Sequence, residues 1–258
     1  MLFRRPQPIL KPAILLVASI IANNTLAQTS QCSATSGQYI TPVVEVFTSE
    51  GCSSCPPADN WASSFKEKAA AGDVVVQVFH VGYWDYIGWV DRFAAPAYTQ
   101  RQREVAAKNK LLSIYTPQAV LNGKDWPDWH GKTLSSNSQE LAKANISIIQ
   151  TSADRFDATV TPLPALVGAS WSAYWTLTEH GHNSKVLAGE NAREFLKHDF
   201  VVRQLVQAGD YKSSDASVHK LSFNSITRTP GHPRQINLVV TDNKTGRTLQ
   251  AASLSCAS

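Results

Sequence analysis

Apolar and polar positions along this chain follow two rhythms, one of helices and one of strands. From Pro42 to Thr48 the run PVVEVFT is short, apolar and β-branched, and the loop signal SEG and then CSSCPPADNWASSFKEKAA follow it. Within that second stretch Ala58, Trp61, Ala62 and Phe65 recur at helical spacing and supply a buried face. Pro56 and Pro57 carry no N–H and fit only a first helical turn, so the helix is predicted to begin near Ser53 or Ser54. Gly72 and Asp73 end it, and VVVQVFHV, Val74 to Val81, reads as a strand buried on both faces. That is the pattern of parallel neighbours joined by a crossover helix, so residues 42–81 predict a βαβ unit.

An aromatic loop, GYWDYIGWVDRF, leads into a polar helical stretch from about Pro96 to Lys110. Ile114 to Gly123, IYTPQAVLNG, predicts a further strand with Thr116-Pro117 near its start and an Asn-Gly turn at its end. DWPDWHG either returns as a hairpin strand or, because of Pro127, stays a loop. Ser135 to Ala144 predicts a helix. Past Asn145 the texture changes to alternating patterns at Arg155 to Thr161, Ala173 to Thr178, Lys220 to Asn224, Gln235 to Thr241 and Thr248 to Leu254, with a helical signal through Ala192 to Gln207. The expected architecture is an α/β domain over residues 28–145 followed by a mainly antiparallel, sandwich-like β module over 146–258.

The N-terminus changes the reading of the charge. Arg4, Arg5 and Lys11 precede an apolar run from Pro12 to Ala22, and Thr25, Leu26 and Ala27 offer a small-x-small cleavage site, so residues 1–27 read as an export signal. At about 11 residues the run is shorter than the roughly 20 that cross a bilayer. Removal of those three basic residues lowers the 24 Lys and Arg to 21 against 20 acids, a formal charge of +1. Without a basic cluster, nucleic acid is not an expected partner. The expected location is the periplasm or the exterior, with no membrane anchor after cleavage.

Four cysteines in an exported chain meet an oxidising compartment. Cys52 and Cys55 form a CxxC at the head of the predicted helix. By elimination Cys32 and Cys256 are the candidate structural bridge; the alternative is two free thiols. A CxxC at a helix N-terminus suits thiol exchange, because the dipole and free N–H groups there stabilise a thiolate. Cys52, nearer solvent, is expected to attack, and Cys55 to resolve. His80, at the end of the second strand, is either a proton relay or a metal ligand beside the thiols, or a histidine hydrogen-bonded at the sheet edge. Tyr83, Trp84, Tyr86 and Trp89 line a groove or cap a core. Asp85 and Asp91 read as solvated or turn-forming. Glu45, inside the first strand, is a proton acceptor for Cys55 or the partner of a Lys or Arg. Glu190, Arg193, His198, Asp199 and Arg203 read as ion pairs on a helix surface.

The chain resembles the thioredoxin-like superfamily, in which a cis-proline faces the CxxC, and Pro117 matches that position. More closely, VVEVFTSEGCSSCPPAD, FHVGYWDYIGWVDRFAAPAYTQRQ, YTPQAVLNG and GENAREFLKHDFVVRQL are similar to the exported bacterial family catalogued as domain of unknown function 1223. The resemblance implies a cis Thr116-Pro117 bond, with Thr116 offering backbone groups to an extended peptide beside Cys52 and Cys55, and His80, Tyr83 and Trp84 as groove candidates. It implies no cofactor. The function expected is thiol-disulfide exchange through a mixed disulfide, with protein or small-molecule thiols and disulfides as partners. Alternatives are a Cu(I)-binding module built on the two thiolates or an interaction protein in which the CxxC is a permanent bridge.

Overall fold

The computed structural model describes residues 1–3, 32–134, 140–213 and 217–256. The expected export signal lies outside them apart from its first three residues. Among the described residues the strands are β1 Ser33–Thr35, β2 Val43–Thr48, β3 Val75–His80, β4 Gln118–Leu121, β5 Lys124–Asp125, β6 Ala144–Ser152, β7 Arg155–Pro162, β8 Ser170–Glu179, β9 His182–Lys185, β10 Phe195–His198, β11 Val201–Lys212, β12 His219–Asn224, β13 Arg234–Asp242 and β14 Thr248–Leu254. Three α-helices accompany them, α1 Pro56–Ser63, α2 Lys66–Ala70 and α3 Pro96–Lys108.

The fold is β-rich and its strand pairs are mostly antiparallel. One sheet runs in the order β14-β13-β8-β11-β3-β2-β4-β5, a second is β1-β6-β7-β12, and β9 pairs with β10. β2 and β3 are parallel, joined by α1 and α2, and every residue of both strands is buried. Side-chain alternation divides their faces: Val44, Val46, Val76 and Val78 pack with Ala58, Ala62 and Phe65 of the helical crossover, while Phe47 and Phe79 pack with Tyr98 and Val105 of α3. Each fully buried aliphatic side chain here stabilises by about 1.5–3 kcal/mol. The other half of the large sheet packs face to face with the smaller one. Ile146, Ile148, Phe156 and Phe223 meet Trp175, Leu177, Ile236 and Leu238 there.

The strands expected at 42–48, 74–81, 155–161, 173–178, 220–224, 235–241 and 248–254 all form within a few residues of those bounds. One expected helix does not, and another lies partly outside the described residues. Residues 192–207 hold β10 and β11, because Arg193 and Phe200 adopt φ of 80° and 54° and break the chain into turns no helix tolerates. The helix expected from Ser135 lies outside the described residues at 135–139, and from Glu140 the chain is extended: Leu141 bridges to Tyr39 and Ala144 opens β6. The boundary residue Asn145 falls inside β6, and the large sheet takes strands from both sides of it. From Cys32 onward the described residues form one compact unit. Cys32 and Cys256 are joined by a disulfide against the core between the two sheets. No helix among the described residues is long and apolar enough to cross a membrane.

Candidate functional site

β2 ends at Thr48, and the chain turns through Ser49, Glu50 and Gly51 to Cys52, which is disulfide-bonded to Cys55. The turn is closed by backbone bonds from the Cys52 N–H to Ser49 O and from the Cys55 N–H to Cys52 O, each 3.1 Å. α1 begins at Pro56, later than expected, with Cys55 as its N-cap residue. Pro56 and Pro57 bring no N–H, and the Ala58 N–H is spent on Cys55 O. A thiolate on Cys52 is therefore served by the helix dipole and by Ser54, whose Oγ lies 3.4 Å from Cys52 Sγ, rather than by a fan of free helical donors.

Both cysteines are closed off from solvent. Cys52 is 1% exposed and Cys55 0%, although Ser53 and Ser54 between them are exposed. Two segments pack against the turn that carries the pair. The aromatic loop lays Trp84 and Ile87 over Gly51 so closely that a Cβ there would stand 3.0 Å from Trp84 Cβ and 3.4 Å from Ile87 Cδ1. From the second half, Asn191 Nδ2 donates to Glu50 O at 2.9 Å and to Cys52 O at 3.0 Å, and Glu190 Oε2 accepts from the Ser53 N–H at 2.9 Å.

Glu50 ties both covers to the CxxC turn. Its Oε2 accepts from Trp89 Nε1 at 2.7 Å, its Oε1 lies 3.1 Å from His198 Nε2, and its N–H donates to Asp91 Oδ2 at 2.9 Å. Burial pushes the Glu50 carboxyl up, but bonds from His198 and Trp89 help outweigh it and hold the group below the usual carboxylate range. Asp91 is likewise depressed, with burial opposed by His80, whose Nδ1 is 2.7 Å from Asp91 Oδ2, and by the N–H groups of Glu50 and Phe93. Burial lowers His198 as well, yet Asp59 and Glu50 reverse the shift and raise it to about 9. Asp85 is raised, chiefly by burial.

The predicted residues gather at one end of the large sheet. Gln118 pairs with Phe47 and His80 pairs with Thr48, so the head of β4, the end of β3 and the CxxC turn share an edge. The Thr116-Pro117 peptide is cis, and Thr116 Oγ1 accepts from Trp84 Nε1 at 2.8 Å. Tyr83 and Trp84 are half-buried, Tyr83 lining a cavity with Asp85, Pro96, Thr99 and Arg103. His80 is fully buried on Asp91, so Asp91 is not solvated. Glu45 shares the face of Phe47, away from α1, and pairs with Arg101 at 2.8 Å; it is placed for α3 and not for Cys55. Among the described residues no group of three or more His, Cys, Asp or Glu is placed to hold a metal ion.

Sequence reasoning missed Glu50, Asp59 and Asn191, and misread His198. Glu190, Arg193, His198, Asp199 and Arg203 do not share a helix; Glu190 caps the CxxC turn, Asp199 pairs with Lys66 at 2.7 Å, and Arg203 lies 3.6 Å from Glu179. The signal that finds them is the pair of β-branched residues Val201-Val202 after FLKH, a strand signature at odds with the helical spacing of the charges.

The fold is similar to that of protein AGR_C_4864 from Agrobacterium tumefaciens, known from an X-ray crystal structure, with a TM-score of 0.59 and 20% identity over 84% of this chain and 95% of that one. It is also similar to HBP35 of Porphyromonas gingivalis, with a TM-score of 0.51 and 14% identity over 84% of this chain and 76% of that one. No curated protein matches the sequence. The model of the protein family of unknown function DUF1223 matches residues 43–240, a span that contains the CxxC turn, both covering segments and His198, and the chain belongs to that family.

Proposed function

We propose that this protein is an exported, thioredoxin-like thiol-disulfide oxidoreductase whose reactive pair is Cys52 and Cys55. The observation that carries the reading is the Cys52–Cys55 disulfide on the connection from a buried strand to a helix N-terminus, at the sheet edge shared with the cis Thr116-Pro117 peptide. The parallel strands β2 and β3 with α1 to α3 and β4 supply the thioredoxin-like part. Residues 146–258 add the β-rich part, whose Asn191 and His198 reach the CxxC turn. Two disulfides and the signal-like residues 1–27 support export. Because both sulfurs are buried, exchange on this reading requires the segments packed against the CxxC turn to open before a protein or small-molecule thiolate reaches Cys52 Sγ.

The test is stepwise reduction of the native protein by dithiothreitol, with thiols alkylated and located by peptide mass. Cys52 and Cys55 should label while Cys32 and Cys256 stay oxidised, and Cys55→Ser should retain a mixed disulfide on Cys52. The burial of both sulfurs favours a second reading, a permanent bridge in an interaction protein. Labelling of Cys52 and Cys55 only under unfolding conditions would establish that reading and remove the first.

A further inference from the structure

Beside the CxxC turn stands a buried chain of ionisable side chains that disulfide exchange through Cys52 leaves unused. His198, from β10, lies between two carboxylates, with Nε2 3.1 Å from Glu50 Oε1 and Nδ1 3.5 Å from Asp59 Oδ2. Asp59 is four residues beyond Cys55, and its N–H donates to Cys55 O, so the two side chains follow one another on one face of α1. All three are buried, and neither Asp59 Oδ1 nor His198 Nδ1, the atom that faces Asp59, has a hydrogen-bond partner. An orphaned, buried carboxylate oxygen one helical turn from a sulfur that becomes a thiol on reduction is a group waiting for a donor.

Resting on the oxidoreductase reading, we propose that Asp59 and His198 are the internal proton carriers of the Cys52–Cys55 couple. In the oxidised protein His198, set between the carboxylates of Glu50 and Asp59 that favour its charged form, holds the proton as an imidazolium. A substrate thiolate, its proton already lost to solvent, attacks Cys52 Sγ; the disulfide breaks and Cys55 leaves with the electron pair. The proton of His198 passes by way of Asp59 to Cys55 Sγ. The second substrate thiol gives its proton to the neutral imidazole as its sulfur attacks the substrate sulfur bound to Cys52, and Cys52 departs as thiolate. The substrate dithiol is oxidised to a disulfide and the protein disulfide is reduced. One substrate proton is in solvent, and the other has replaced on His198 the one that Cys55 keeps.

Other groups face His198 from every side. The His80 ring lies 4.9 Å away with Asp91 behind it, Phe93 packs at 5.6 Å, and His182 is its cross-strand neighbour in β9, bonded to Glu179, which Arg203 also faces. Among these only Asp59 stands on the helix that Cys55 caps, its N–H bonded to Cys55 O, and this sets the route. Because proton and electron binding are reciprocal, whatever reduction does to His198 the protonation of His198 does to the redox equilibrium.

The experiment follows the His198 ring by NMR in protein carrying labelled histidine, oxidised and reduced, across pH 6 to 10, and measures the equilibrium with dithiothreitol over the same range. The ring titration should differ between the redox states by half a unit or more, and the equilibrium constant should bend over the same window by about threefold or more. Asp59→Asn should shrink both effects. Identical titrations in the two redox states overturn the proposal while leaving the oxidoreductase reading intact. A CxxC that never equilibrates with dithiothreitol in the native protein removes both. The comparison of redox states in the unaltered chain holds even where Asp59→Asn fails to fold.

Discussion

Two disulfides in this chain are set in opposite circumstances. Cys32 and Cys256 are 224 residues apart and lie against the apolar core between two sheets, while Cys52 and Cys55 are 3 apart and lie beside Glu50, Asp59 and His198. In the chain-entropy model a bridge stabilises by what it removes from the unfolded ensemble, about 5 kcal/mol for the long closure and about 2 kcal/mol for the short one. The short bridge does little for folding that packing could not do. Sequence separation tells what a disulfide is worth to stability, and the polarity around it tells what chemistry it can take part in.

The largest effect expected is the loss of the long bridge. Serine at both Cys32 and Cys256 should lower the unfolding free energy by about 5 kcal/mol, and serine at both Cys52 and Cys55 by about 2 kcal/mol, in urea under non-reducing conditions. Equal losses would break the contrast. Next comes the charged pair on the α3 face. Arg101→Met should cost about 3–5 kcal/mol, because it strands Glu45, 1% exposed, without its cation; the double change Arg101→Met, Glu45→Met should recover most of that. A double variant no better than the single one would mean that Arg101 acts by packing over Tyr174, whose ring lies 4.3 Å away.

The same contrast explains which parts of the molecule could be read from the chain. Strands with uniform burial or strict alternation announced themselves: VVEVFT, VVQVFH and TLQAASL form where their apolar positions predict, because side-chain periodicity is a local property. The CxxC and Pro117 were visible as motifs, and the strand register brings them to one edge. The cover and the buried charges were not. His198 sits between charges at helical spacing, so its segment reads as a solvated helix until Arg193 and Phe200 are seen with positive φ. Glu50 reads as part of a polar turn because nothing local tells that Trp89, 39 positions away, and His198, 148 away, close over it. Burial of a polar residue is a tertiary fact, supplied by segments far along the chain.

The pH dependence of stability separates the two disulfide regions further. His198 is raised from 6.5 to about 9 in the folded protein, so its contribution, on the order of 3 kcal/mol, is full below pH 6.5 and disappears as pH climbs through 9. Glu50 and Asp91 are depressed, so theirs is present above the ordinary carboxylate range and lost as pH falls through their folded values. Unfolding free energy should therefore decline on both sides of neutrality. In His198→Gln the alkaline decline should flatten; an unchanged slope would assign it elsewhere.

The smallest change is the sharpest test of the cover. A methyl group in Gly51→Ala would meet Trp84 Cβ at 3.0 Å, tighter than nearly all such contacts, so the aromatic loop must give by a few tenths of an ångström. Overpacking of this kind costs about 1–3 kcal/mol. Spent on the closed arrangement alone, the lower figure would raise the population of open molecules, and with it the rate at which dithiothreitol reduces Cys52–Cys55, by about fivefold. Gly37→Ala, whose methyl meets nothing within 4 Å, is the control and should change neither quantity. If Gly51→Ala lost stability without any gain in reduction rate, Trp84 and Ile87 would be packing against the turn without gating it, and the burial of Cys52 would have to be relieved through the segment that carries Asn191.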